Sequence, residues 1–158
     1  MGIVGAHGLE EVRAGASRSH AVMWTGLPYP SRRISGRDVC RRLFLDGTYV
    51  FCTATSFLYR SDLVRSHDPF YNEANLHSDA EAYVVLLHSS DFGFVHQVLT
   101  FKRWRLESLR TFTLDFQTIL THRLHDLVMC GHHFLTGEEF DKCLGRQKVS
   151  RSSPSEGV

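Results

Sequence analysis

The strongest constraint on the fold of this chain lies in residues 78–101, where a helix-type segment passes through a short turn directly into a β-type run. Ser78-Asp79-Ala80-Glu81 has the form of a capping box, a hydroxyl followed three residues later by a carboxylate. It predicts a helix through Val84, Val85 and Leu87 to about Ser90. Asp91-Phe92-Gly93 then turns the chain into the apolar, β-rich stretch Phe94 to Phe101. A second apolar run, Gly2 to Ala6, ends in small residues and reads as a buried parallel strand. Helices alternating with buried strands indicate an α/β fold.

Around this block the elements are shorter. Residues 9–35 are rich in Gly, Arg, Ser and Pro and predict an irregular loop with room for a short hairpin. Gly36 to Leu45 predicts a short helix with Arg37, Arg41 and Arg42 on a polar side, ended by an Asp46-Gly47 turn. Thr48 to Tyr59 is β-rich, and Ser61 reads as the N-cap of a helix that finishes before Pro69. Apolar residues recur at helical spacing from Leu106 to Cys130, with Gly131 as the C′ residue. Thr136-Gly137-Glu138-Glu139 is a second capping box, opening a helix that carries Phe140 and Leu144. From Gln147 to Val158 the chain is serine-rich without aromatics, and a disordered tail is expected.

Composition narrows the classes of partner. With 42% hydrophobic residues the chain can bury a core, and a net charge of +1 supplies no field that would favour nucleic acid or a membrane surface. No stretch approaches the roughly 20 apolar residues of a membrane span. The four cysteines form no Cys-x-x-Cys pair and lie in apolar stretches, which suits buried, reduced thiols in a cytoplasmic protein. The phosphate-binding devices of a self-contained nucleotide enzyme are missing from the sequence: Gly-x-Gly-x-x-Gly, the P-loop and Asp-x-Asp.

Three pieces of sequence stand in order: Pro69-Phe70-Tyr71-Asn72-Glu73, then Leu76-His77-x-Asp79-x-Glu81, then Asp91-Phe92-Gly93-Phe94-Val95-His96-Gln97-Val98-Leu99-Thr100-Phe101. This block resembles the second half of bacterial family 2-like glycosyltransferases of the GT-A fold. The likeness reaches upstream through Gly26-Leu27-Pro28-Tyr29-Pro30 and Gly36-Arg37-Asp38-Val39-Cys40, and downstream through Phe134-Leu135-Thr136.

The resemblance implies a partial GT-A doubly wound domain lacking its N-terminal donor-binding half. On that division, residues 1–104 are the acceptor-side part, 105–146 a helical extension and 147–158 the tail. It implies transfer of a sugar from a nucleotide-sugar donor to a glycan or other acceptor hydroxyl, with inversion. In that family Asp79 matches the base that takes the acceptor proton. Its alternative is simple complementation of the helix dipole.

Glu81 has two readings, a capping side chain for Ser78 or an acceptor contact. His96 matches a histidine ligand to the divalent cation, manganese or magnesium, that assists the leaving diphosphate; otherwise it is a satisfied structural histidine. Thr55 and Ser56 match the loop on which related proteins rest the acceptor or the transferred sugar, although Cys52 and Ala54 stand where family relatives often show Gly and Pro. Arg103 is a candidate phosphate contact or a solvated strand end.

The expected partners are therefore the donor, the acceptor and a separate N-terminal half, with no nucleic acid and no transmembrane segment. The expected location is the cytoplasm, or the membrane periphery when something else holds the chain there. The competing expectation is a non-catalytic remnant that serves as a glycan-binding or interaction module.

Overall fold

The computed structural model describes residues 2–14, 17–30, 32–51, 54–102 and 118–152. It is a mixed α/β structure. Strand β1 (Ile3–Ala14) runs parallel to β5 (Asp91–Lys102), and this ladder is the spine of the sheet. The opening run is thus the buried parallel strand expected from its apolar pattern, with Ile3 fully buried and Ala6 nearly so.

The far edge of β1 is shared. Its first residues pair antiparallel with β4 (Phe57–Tyr59), and its later ones with β2 (Ser17–Met23). Strand β3 (Arg32–Ser35) closes the other side, antiparallel to β5. The order is β2-β1-β5-β3 with β4 on β1. Where the sequence predicts an irregular loop with room for a short hairpin over 9–35, the chain forms the longer β1–β2 hairpin and β3. Among the described residues, the predicted β-run over 48–59 keeps only Phe57–Tyr59 as strand, while Val50 and Phe51 plunge into the core from irregular backbone.

Helix α1 (Gly36–Asp46) starts where the Ser35 side chain accepts from the Asp38 N–H, and ends on Gly47 in the left-handed conformation (φ 70°). A short α2 (Ser61–Arg65) follows β4, with Arg60 rather than Ser61 at the N-cap position. Helix α3 (Ser78–Leu87) buries Ala80, Ala82, Tyr83, Val84, Leu86 and Leu87. Tyr83 stacks on Phe51 at 5.5 Å and meets Phe57 at 4.6 Å, joining the helix to the sheet through an aromatic cluster that includes Phe92.

Helix α4 (Thr118–Phe134) and helix α5 (Gly137–Ser152) form a hairpin against α1 and α3. The second capping box is present as expected: the Glu139 N–H donates to Thr136 Oγ1 (3.3 Å), and the Thr136 N–H donates to Glu139 Oε2 (2.8 Å). Arg41 of α1 clasps both oxygens of Glu139 and donates to the Phe134 carbonyl (2.9 Å). That guanidinium holds the Glu139 carboxyl down at about 2.

Three boundaries depart from the sequence expectation. Gly131 lies inside α4 rather than at its end, since a Cβ there would stand 3.1 Å from the Phe140 ring that packs across it. The residues of the predicted helix that fall in 103–117 lie outside the described residues. Helix α5 runs past Gln147 to Ser152, into the stretch expected to be a tail.

Gly36 is the tightest backbone approach between α1 and the end of α3. A Cβ there would lie 2.1 Å from the Leu87 carbonyl oxygen and 2.2 Å from that of Ser90. Backbone atoms cannot rotate away as a side chain would. Gly36→Ala should therefore cost about 1–3 kcal/mol of stability, read as a lower urea midpoint. A wild-type midpoint would show that the two helices do not meet this closely.

Candidate functional site

The parallel ladder breaks register at one place. Ala6 pairs with Val95, but His7 pairs with Val98 and Gly8 with Thr100, so β5 carries extra residues opposite consecutive residues of β1. Such bulges re-aim side chains. Here His96 sits beside His7, with His7 Nε2 3.2 Å from His96 Nδ1.

The outer nitrogen of each ring is held by the segment after β2. His7 Nδ1 lies 3.1 Å from the Met23 carbonyl oxygen, and His96 Nε2 lies 3.0 Å from that of Pro28. Phe94 meets both imidazoles edge-on, at 4.9 and 5.0 Å, and Tyr29 flanks His96 at 5.6 Å. Both histidines are half-buried.

The other expected site residues lie on neighbouring elements. Ser56 is buried and hydrogen-bonds Thr100 across 2.9 Å, which ties the 3-10 turn Ala54–Ser56 to β5 near His96, whereas Thr55 is exposed. Asp79 occupies the first turn of α3, half-buried, where its Oδ1 accepts the Ala80 N–H at 2.9 Å. Its charge is felt at His77, Tyr59 and Tyr83, whose phenols burial pushes up. Arg103 lies outside the described residues.

Glu81 does not follow the capping reading. It does not reach back to Ser78: the N-cap is His77, and the Ser78 N–H donates to the Asn75 carbonyl (3.1 Å). The carboxylate instead accepts from the Asn75 side-chain amide at 2.7 Å and the Asn72 amide at 3.3 Å. Glu81 thus pins the 72–77 loop that leads into α3 and sets the position of Asp79. Asp79 bonds the backbone of its own helix and acts electrostatically on His77, Tyr59 and Tyr83, while His96 lies against His7 and Pro28.

Sequence reasoning passed over a polar pair on α4. A cavity of about 270 Å³ lies between α1, α3, α4 and α5, bounded by Leu43, Tyr49, Phe51, Val84, His122 and Asp126. His122 Nε2 is 3.1 Å from Asp126 Oδ2, and both side chains are more than nine-tenths buried. Burial pushes the Asp126 carboxyl up to about 7 and the His122 imidazole down to about 4.

Both shifts favour the uncharged forms, so the contact is best described as a neutral hydrogen bond and not an ion pair. With Nε2 accepting from the acid, the proton of His122 resides on Nδ1, which is buried with no hydrogen-bond partner. His77 stacks on His122 at 4.6 Å and links this pair to the start of α3. The signal was available in the sequence as a His and an Asp four residues apart within an apolar helical stripe.

Among the described residues, no group of three or more His, Cys, Asp or Glu side chains could hold a metal ion. Cys40, Cys130 and Cys143 are free thiols; burial, with Cys130 and Asp126 nearby, pushes the Cys40 thiol far up, and burial lifts Cys130 to about 11, which suits inert packing. No helix among the described residues is long and apolar enough to cross a membrane. Comparison with known protein families, with curated proteins and with solved structures finds no match.

The buried pair has a signed pH dependence. A folded His122 near 4 against an unfolded value of about 6.5 loses stability as pH falls between the two. A folded Asp126 near 7 works oppositely: its contribution is present at low pH and is lost as pH rises through 7. The two slopes offset each other in the native protein. Asp126→Asn leaves the histidine slope alone, so its stability deficit relative to wild type should widen from pH 7 to pH 4 in urea titrations. A deficit that stays constant with pH would contradict the neutral pair.

Proposed function

We propose that this chain is the acceptor-side part of an inverting nucleotide-sugar glycosyltransferase, with Asp79 as the base. The observation that carries the reading is the ordered block from Pro69 to Phe101, in which Asp79 falls in the first turn of a helix that feeds directly into the spine strand β5. Several features support it. One Asp79 oxygen accepts the Ala80 N–H, and the second is available among the described residues to accept an acceptor hydroxyl's proton. The Asn72–Glu81–Asn75 clamp orders the loop in front of that carboxylate.

In the proposed reaction the acceptor oxygen attacks the anomeric carbon as its proton passes to Asp79. The bond to the nucleoside diphosphate breaks on the opposite face, and the anomeric configuration inverts. A divalent cation would neutralise charge on the departing diphosphate, and His96 is the residue of this chain proposed to hold it. Donor binding falls to a separate N-terminal half, consistent with the missing phosphate-binding motifs. The arginines at 32, 33, 37 and 42 are exposed beside Pro28 and the start of α1 and offer positive charge to such a donor.

The test pairs this chain with a donor-binding half and follows transfer from a nucleotide sugar. The wild-type pair should transfer, and the chain alone should not. Asp79→Asn should lower the rate by about 10²–10⁴-fold while donor affinity stays unchanged. Wild-type rates in Asp79→Asn would refute the base, and transfer by the chain alone would refute the division into halves.

A further inference from the structure

The cavity behind α3 combines an apolar wall with one buried donor that the protein leaves unserved. Leu43, Phe51, Val84, Leu120 and Leu127 line it, and its volume is about 270 Å³. An apolar cavity of about 150 Å³ already takes up benzene, so this one has room for a ring with a short chain. Its lining reaches solvent at Asp46, Gly47 and Arg146, which are exposed, and a Cβ added at Gly47 would meet nothing within 4 Å.

His122 is the polar group of this wall. Its side chain is more than nine-tenths buried, Nε2 is taken by Asp126 Oδ2 at 3.1 Å, and Nδ1 is buried without a hydrogen-bond partner. His77 stacks on the ring at 4.6 Å and holds it in place. A buried N–H with no acceptor is unfavourable, and a ligand oxygen placed in the cavity would supply one.

The charges around the cavity decide what kind of oxygen that is. Burial favours the neutral forms of both His122 and Asp126, so neither balances a carboxylate. Arg146 is engaged at the end of α1, where it donates to the Leu45 carbonyl (2.8 Å) and to Cys143 Sγ (3.1 Å). Arg123 and Asp46, which also line the cavity, carry opposite charges. A ligand cation would meet an N–H at Nδ1 and not a lone pair. A neutral carbonyl oxygen satisfies the donor without burying a charge.

We infer that this cavity binds a small, uncharged, mainly apolar molecule through a carbonyl oxygen that accepts from His122 Nδ1–H, with its hydrocarbon part against Leu43, Phe51 and Val84. The site stands apart from the transferase reading. It is built on α1, α4, α5 and the face of α3 that carries Ala80 and Val84, and it needs neither Asp79 nor a donor-binding half.

The experiment uses the full chain, labelled with ¹⁵N, at about pH 6, where the acid is protonated and the imidazole neutral. Long-range ¹H–¹⁵N spectra should show His122 protonated on Nδ1. Titration with butyrophenone should shift that resonance. The ketone should bind about 2- to 10-fold more tightly than butylbenzene, which has the same carbon skeleton without the carbonyl. The anion 4-phenylbutyrate should bind more weakly than the ketone. His122→Phe combined with Asp126→Leu removes both polar partners and should bind the two neutral probes equally, and Leu43→Trp, which fills the cavity, should weaken both.

A proton on Nε2 of His122 would overturn the site. So would equal affinity of the wild type for the two neutral probes, tighter binding of 4-phenylbutyrate, or binding of none of them. A ketone preference that survives in the double variant, or undiminished binding in Leu43→Trp, would place the ligand elsewhere and overturn it too. Should the variants fail to fold, the wild-type comparison decides alone. No nucleotide sugar takes part, so failure here leaves Asp79 untouched, and a failed transfer assay leaves this result untouched.

Discussion

The parallel pairing of β1 with β5 is the contact on which the rest of the structure depends. It joins the two ends of the described sheet across nearly ninety residues of sequence, and it buries Ile3, Phe92 and Phe94 in one aromatic and aliphatic layer. Strands β2 and β4 have no place to pair without β1, and β3 has none without β5. Helix α3 covers the layer with Tyr83, Val84, Leu86 and Leu87, and its exit turn delivers β5 into register. A parallel pair needs such a crossover connection, so the helix that carries Asp79 and the strand that carries His96 are positioned by the same constraint.

The ladder also fails in an informative way. Had the register continued past Ala6, His7 would pair directly with His96; instead it pairs with Val98. The two imidazoles stay in contact across the bulge, and each is held by a backbone carbonyl. On the helical side, polar groups are likewise buried at a cost: His122 and Asp126 sit uncharged behind α3, and His77 connects them to its first turn. Burial that leaves a donor such as His122 Nδ1 without a partner costs about 1–3 kcal/mol, and the surrounding packing of α1, α4 and α5 has to offset it.

Much of the local structure was legible in the sequence, and the reasons for the misses are physical. The Thr136 capping box and the Gly47 stop obey rules that involve only a few neighbouring residues, and both appear as expected. The Ser78 box failed although its residues fit the pattern, because Asn75 takes the Ser78 N–H and the asparagine amides take Glu81. The sequence leaves room for only a short hairpin where β1 and β2 pair over seven residues, because their polar residues hide strand alternation. Gly131 has the look of a helix end in the sequence, since nothing local reveals that Phe140 packs against it. At the site, the position of Asp79 at a helix start was readable, whereas the meeting of His7 with His96 exists only through a long-range register.

In the proposed reaction, a single carboxylate on α3, Asp79, would drive a direct displacement on a sugar held by another polypeptide half. Its stereochemistry is the most direct witness. Proton NMR of the product released by this chain together with a donor-binding half, taken before mutarotation, reads the anomeric configuration. The account predicts the configuration opposite to that of the nucleotide-sugar donor. A product that retains the donor configuration would contradict it.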